Sequence, residues 1–263
     1  MLYSPFKTVF TWFGFRYNGG MDSQSSPVVD KSPERIRQMF DAVASRYDFL
    51  NHLLSLGIDR SWRSRAARQL IQHGEGDVLD VCCGTGDLSL ALLKQQRKQN
   101  IDRTIYGVDF SPAMLEIARK KVPQDSALHF SPADALDLPF EENRFALVAV
   151  AFGLRNVHDT QRGLAEMLRV CKPGGTVAVL DFSMPTLPIL RHVYQFYFRT
   201  VLPRIGQWIG NDRNRAYNYL TESVVQFDRP EQLAKRMKHL GMIDVRMKPM
   251  TFGIVTLIWG KNG

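Results

Sequence analysis

DVLDVCCGTGD, residues 77–87, decides the fold. Val78, Leu79, Val81 and Cys82 make a short apolar strand, and Gly84, Thr85 and Gly86 end it in a loop that permits backbone angles other residues avoid. From Asp87 to about Lys98 the spacing changes to that of a helix. Working outward, the same unit recurs. TIYGVD (104–109), LHFSP (128–132), FALVAVA (145–151) and TVAVLD (176–181) read as further strands. Helices over 111–121 and 159–170 lie between them, and KPGG (172–175) reads as a tight turn before the fifth strand.

Strands alternating with helices of this length predict a parallel sheet covered on both faces. The end departs from that pattern. After a helix from about Arg229–Pro230 to Gly241, two strand-like runs (243–250 and 251–260) are joined too closely for a parallel crossover, so they pair antiparallel. The expectation is an α/β protein with a mostly parallel seven-stranded sheet and a C-terminal antiparallel hairpin. That is the layout of a Rossmann-like class I methyltransferase. Upstream, residues 31–75 read as helical, opened by Ser32–Pro33–Glu34 and interrupted at Gly57, which predicts two or three short helices. The domain is expected over 31–263, with an insertion at about 184–228 covering the substrate. Residues 1–30 fall outside it: Met1–Tyr17 is aromatic and basic without a signal peptide's apolar core, and Met21 is an alternative start.

The composition of the 263 residues, 44% hydrophobic and 23% charged, is that of a globular protein and excludes collagen, coiled coil and wholesale disorder. Cys82, Cys83 and Cys171 are too few and too poorly spaced for a disulfide scaffold or a zinc clamp, so no metal is expected and reducing cytoplasm is the natural setting. A formal net charge of +8 suits polyanions or anionic headgroups without choosing between them. No run of about 20 apolar residues is present to span a membrane.

The glycine loop points to the ligand, which in such sheets binds beyond the carboxyl ends of the strands. Gly84, Thr85 and Gly86 let it approach the backbone. A dinucleotide loop would need a third glycine where Ser89 stands, and Asp87 at the helix start repels a pyrophosphate. S-adenosylmethionine carries no phosphate and meets neither objection. Asp109, 23 positions after Gly86 at the end of the second strand, can accept both ribose hydroxyls. Asp134, followed by Ala135, can accept from the adenine amine, and Asp80 can face the cofactor's amino group. These strand-end positions imply S-adenosyl-L-methionine.

Several blocks carry a closer resemblance. DVCCGTGD (80–87), FGLRNV (152–157), RVCKPGGTVAVLDFS (169–183), YDFLNHLLSLGIDRSW (47–62), LPRIG (202–206) and YNYLTES (217–223) resemble, in the same order, the UbiE/MenG family of ubiquinone/menaquinone biosynthesis C-methyltransferases, which includes demethylmenaquinone methyltransferase. The likeness runs from about Gln38 to the C-terminus. It implies cofactor contacts from Thr85, Asp109, Asp134 and Ala135, and catalytic positions facing the quinol at Arg155 and Asn156. Three positions depart from the family: Cys82–Cys83 replace small residues, Asp59 stands where His is usual, and Asp181 where Glu is commoner.

The activity implied is methylation of a ring carbon of a polyprenylated quinol, demethylmenaquinol first. The alternative is 2-polyprenyl-6-methoxy-1,4-benzoquinol in ubiquinone synthesis, or both. Arg155 would stabilise the phenolate by charge and Asn156 would hydrogen-bond an oxygen, with His158 as a reserve base. The prenyl tail needs an apolar groove or a membrane. Leu190, Val193, Tyr194, Tyr197, Phe198, Val201 and Leu202 recur at helical spacing, with Arg191, Gln195 and Arg199 on another face, which suits peripheral contact at the inner face of the membrane. Nucleic acid is not an expected partner: AFGLRN replaces the Asn/Asp-Pro-Pro-Tyr/Phe signature of amino-methylating enzymes, and Cys171 does not follow a proline as a cytosine-C5 nucleophile would. Oligomeric state, a homodimer included, is not set by the sequence.

Overall fold

The computed structural model describes residues 32–55, 57–122, 127–185, 200, 223–224 and 226–263. Residues 1–31 and the amphipathic stretch 190–202, apart from Thr200, lie outside them, as does most of the expected insertion. The chain opens with α1 (Pro33–Leu54) and α2 (Ile58–Leu70), separated at Gly57, whose φ of 74° only glycine adopts without strain. The break falls where expected and gives two helices, of which α1, at 22 residues, is longer than the short helices expected.

The alternating part follows as β1 (Val78–Val81), α3 (Asp87–Gln99), β2 (Ile105–Asp109), α4 (Pro112–Lys121), β3 (Leu128–Pro132), β4 (Phe145–Ala151), α5 (Thr160–Val170) and β5 (Cys171–Phe182). It closes with α6 (Pro230–His239), β6 (Met242–Met250) and β7 (Val255–Asn262). The seven strands lie in the order β3-β2-β1-β4-β5-β7-β6. β1 to β5 pair in parallel, and β7 enters antiparallel between β5 and β6. The seven-stranded sheet with its antiparallel end is therefore as the sequence predicts.

Alternation along each strand divides the core in two. Leu79, Val81, Val148, Val150, Val177 and Val179 pack with Leu164 and Met167 of α5 and Leu233 and Met237 of α6. On the opposite face Val78, Leu147, Ala149, Ala178 and Leu180 pack with Trp62, Ala66 and Leu70 of α2 and Leu88 and Leu92 of α3. Burial on both faces explains why β1, β4 and the body of β5 are continuous apolar runs, while the edge strands β3 and β6 are not.

Two boundaries differ from expectation. Residues 172–175 do not precede β5 but bulge within it: Phe145 pairs with Cys171 and Leu147 with Thr176, while Gly174 sits at φ 73°. The run from Thr251 does not open as a strand. Thr251–Gly253 is a 3₁₀ turn, and Trp62 reaches it with an indole N–H donated to the Thr251 hydroxyl at 2.7 Å.

Candidate active site

The carboxyl ends of β1, β2, β3 and β4 open into one cleft of about 1040 Å³, counting the space at its mouth. Such a cleft, beyond the carboxyl ends of parallel strands, is where sheets of this kind bind small molecules. Asp80, next to last in β1, lies on its floor, and Asp109 ends β2 on its wall. Asp134 and Ala135 follow β3, and Phe152, Gly153 and Asn156 follow β4; all of these line the cleft. Tyr47, Phe40 and Ile36 of α1 close it from above.

The glycine loop is held by its neighbours. Asp109 Oδ2 accepts the Gly84 N–H at 2.7 Å, and its Oδ1 accepts the Ser111 N–H at 2.9 Å. Ser111 in turn caps α4, accepting the Met114 N–H at 3.2 Å. Gly84, at φ 55°, has nothing within 4 Å of where a Cβ would stand, so the loop leaves a cradle over its backbone. Gly86 plays the opposite part. It lies outside the cleft lining, and a Cβ there would stand 2.8 Å from Phe130 Cζ. Thr85 is buried and donates its hydroxyl to Asp48 of α1 at 2.5 Å.

Asp80 is the floor's unusual group. Its Oδ2 accepts the Ser89 hydroxyl at 2.6 Å, while Oδ1 is buried with no partner among the described residues. Burial pushes its carboxyl up to about 7, against the lowering effect of the Ser89 bond. Burial also raises Asp109, despite the backbone N–H groups it accepts. Cys82 and Cys83 line the cleft too; burial, with Asp109 and Asp80 nearby, pushes both thiols well above the usual range. Asp134 Oδ1 accepts the Leu136 N–H at 2.9 Å and so shapes its own turn.

Beyond β4, Arg155 and Asn156 occupy a 3₁₀ turn, Leu154–Asn156. Asn156 lines the cleft, its Oδ1 buried without a partner among the described residues. The Arg155 guanidinium lies one layer behind. Its Nη1 donates to Asp181 Oδ1 at 2.8 Å and to the Phe152 carbonyl, and it stacks over the Phe182 ring at 5.3 Å. His158 stands exposed at the rim.

Several lining residues were not singled out as site residues in the sequence. Arg63 of α2 enters the cleft wall, 5.2 Å over the Phe152 ring, and ties Asp59 at 2.5 Å to Asp87 at 3.6 Å. Asp59 also accepts from Ser55 at 2.7 Å and from His52 Nδ1 at 2.9 Å. Arg60 Nε donates to His52 Nε2 at 3.2 Å, which leaves the ring proton on Nδ1. Burial raises the Asp59 carboxyl, but Ser55, the Arg63 charge and His52 outweigh it and hold it below the carboxylate range. The residue that departs from the family's His is thus the centre of a buried charge network. Phe110, 38% exposed, reaches the cleft straight after Asp109, and the only signal for it in the sequence is that adjacency.

The residues fit S-adenosylmethionine. An open backbone cradle, an orphaned acidic oxygen for an ammonium group and a carboxylate at the end of β2 for vicinal hydroxyls stand in one cleft with no phosphate-binding helix end: Asp87 fills that place, paired with Lys121 at 2.8 Å. Fold and cleft together define a Rossmann-like S-adenosylmethionine-dependent methyltransferase. Its architecture is shared with a methyltransferase of that class from Thermotoga maritima (TM-score 0.58, 18% identity, 87% of this chain and 100% of that one). Within the class, the chain belongs to the ubiE/COQ5 methyltransferase family, whose model matches residues 28–262. It is 43% identical over 239 residues to the ubiquinone/menaquinone biosynthesis C-methyltransferase UbiE of Citrifermentans bemidjiense, covering 89% of this chain and 99% of that protein. It is 42% identical over 239 residues to the demethylmenaquinone methyltransferase of Deinococcus radiodurans, covering 90% and 97%.

Proposed function

We propose that this chain methylates a ring carbon of a polyprenylated quinol, converting demethylmenaquinol to menaquinol. The observation that carries the reading is Asn156, in the FGLRNV stretch after β4, which lines the same cleft as Asp80 and Asp109 and whose Oδ1 is buried without a partner among the described residues. Bound S-adenosylmethionine supplies an electrophilic methyl group on a sulfonium. Gly84, Thr85, Asp109, Asp134 and Ala135 would hold that cofactor, and the Asp80 carboxylate would accept from its ammonium group.

Carbon becomes nucleophilic when the quinol loses a hydroxyl proton, since the phenolate places charge on its ortho carbon. A phenol ionises near 10, so the site must favour the anion. Asn156 hydrogen-bonds the hydroxyl-bearing edge of the ring, and the fixed positive charge of Arg155 behind it lowers the cost of the phenolate. Phe40, Tyr47 and Phe152 supply the aromatic wall that keeps water from the methyl group. The enzyme works in the cytoplasm against the inner face of the membrane, where its tailed substrate resides; the expected substrate-covering insertion at about 184–228 lies mostly outside the described residues. No helix among the described residues is long and apolar enough to cross that membrane.

A benzoquinol is the second reading, favoured by the paired names in the Citrifermentans relative. Radiolabelled S-adenosylmethionine with reduced demethylmenaquinol and 2-polyprenyl-6-methoxy-1,4-benzoquinol, in separate detergent assays, separates them. Label in the naphthoquinol alone is expected. Label in the benzoquinol alone overturns the assignment, label in both extends it, and label in neither points to another acceptor.

A further inference from the structure

Among the described residues, six buried side-chain polar atoms lack a hydrogen-bond partner, and three of them belong to one cluster: Arg155 Nε, Asn156 Oδ1 and Asp181 Oδ2. Arg155 links the three: it shares the Phe152 carbonyl with Asn156 and is paired with Asp181. Arg155 Nη1 and Asn156 Nδ2 both donate to Phe152 O, and Arg155 Nη1 also holds Asp181 Oδ1 at 2.8 Å. Arg155 and Asp181 are 4% and 3% exposed, so bulk solvent does not serve their free atoms. Buried polar groups left open in this way are ordinarily bridged by ordered water. Here such water would run from Asn156, on the cleft wall, to Asp181 at the end of β5.

From this we infer that Asp181 Oδ2 receives the proton that the quinol hydroxyl gives up, through water held by Asn156 and Arg155. The inference rests on the quinol reading above. The O–H bond breaks, its electron pair stays on the ring oxygen, and the proton reaches the carboxylate. The Arg155–Asp181 pair is neutral while Asp181 is ionised. Once Asp181 is protonated, Arg155 keeps an uncompensated positive charge beside the new phenolate, so charge moves without net separation from the site. After the carbon is methylated, its ring hydrogen leaves as a proton and Asp181 returns its own to the oxygen, so one proton is released per turnover. Burial raises the Asp181 carboxyl against the opposing Arg155 charge, which suits a group that must accept a proton. The titratable groups bearing on it are Arg155, from the turn after β4, and the Cys82 thiol, from the loop after β1. Thr256 of β7, its register partner, is neutral.

Asp181 acts through water and Arg155, so its test needs a readout that mere support of Arg155 would not move. In the full chain, kcat of the wild type is expected to fall at acid pH as Asp181 becomes protonated. Asp181→Asn is expected to lower kcat at neutral pH by about 100-fold, to abolish that acid limb and to leave kcat rising with pH. Calorimetric affinity for S-adenosylmethionine is expected to stay unchanged. Asp181→Glu is expected to restore part of the rate and a displaced acid limb. Should the Asn variant not fold, the Glu variant carries the test, and an acid limb left where the wild type has it overturns the inference. Asp181→Asn with wild-type turnover, or with turnover lost and the acid limb retained, also overturns it while leaving the quinol reading intact. A wild-type chain that binds S-adenosylmethionine and methylates no quinol overturns that reading first, and this inference with it.

Discussion

Asp109 Oδ2 accepts the Gly84 N–H at 2.7 Å, so the carboxylate that ends β2 also fixes the loop that follows β1. One side chain thereby couples two walls of the cleft. Its other oxygen is engaged by Ser111, and any ribose contact uses lone pairs that these two bonds leave free.

Asp109→Ala is therefore expected to fail twice. It removes the acceptor for the cofactor's hydroxyls and leaves the part-buried Gly84 N–H and the N–H of buried Ser111 open, at about 1–3 kcal/mol for each group that stays unsatisfied. Calorimetry should show at least tenfold weaker S-adenosylmethionine binding, together with a lower melting temperature without ligand. Wild-type affinity in a destabilised variant would assign Asp109 to the loop alone.

Asp80 yields a pH prediction. Its folded-state carboxyl sits at about 7, above the unfolded value, because burial opposes the charge. The folded state therefore binds a proton that the unfolded state has lost. The stability linked to that proton is full below about pH 4 and disappears as pH rises through 7. Asp80→Asn removes the linkage, so its melting temperature relative to wild type should improve between pH 5 and pH 8, following the raised value of about 7. Cofactor affinity should move the other way in the wild type. An ammonium group prefers the carboxylate, so binding tightens as pH rises towards 7 and flattens above it. In Asp80→Asn that slope is lost; a slope that persists would place the ammonium elsewhere.

The strands and their order of appearance were legible chiefly because burial on both faces writes β1, β4 and the body of β5 as plain apolar runs, bounded by glycine or a turn. The bulge at 172–175 was not. Lys-Pro-Gly-Gly has turn chemistry, and whether a turn stands before a strand or inside it depends on the pairing of Cys171 with Phe145, a tertiary fact. The site divides in the same way. Asp80, Asp109 and Asp134 follow from where strands end. The pairing of Arg155 with Asp181, 26 residues apart, and the entry of Arg63 and Tyr47 into the wall depend on how β5, α2 and α1 pack. Nothing local encodes that.

Gly86→Ala tests the distinction between the loop's two glycines. Gly86 sits at φ 81°, and an added methyl would meet Phe130 Cζ at 2.8 Å and Ala118 Cβ at 3.2 Å. Left-handed backbone costs a non-glycine residue about 1–2 kcal/mol, and forced overpacking about 1–3 more. A loss of about 2–5 kcal/mol by chemical denaturation is expected. Gly84→Ala, with open space at its Cβ, should lose only the backbone share and instead obstruct the cofactor. Equal stability losses in the two variants would refute this division of labour.

The last prediction concerns access. α1 lies across the cleft mouth and is tied down from below: Asp48 accepts from Thr85 at 2.5 Å and pairs with Lys121 at 2.5 Å, and Asp41 accepts from Ser111. Thr85 and Ser111 also line the cleft, so the helix is fastened to the loops that hold the cofactor. Entry and exit of a ligand beneath Phe40 and Tyr47 then require these bonds to open together. The Asp48–Lys121 pair is about a quarter exposed at each end, which limits its own worth to about 1 kcal/mol or less. The buried Thr85 hydroxyl is the stronger tie. Asp48→Ala should raise the dissociation rate of S-adenosylmethionine by about 5- to 30-fold in stopped flow, corresponding to 1–2 kcal/mol, while changing the association rate less. Adding Asp41→Ala should increase the effect further, since both bonds restrain one helix. If dissociation is unchanged in the double variant, α1 does not gate the cleft, and the ligand leaves by another face.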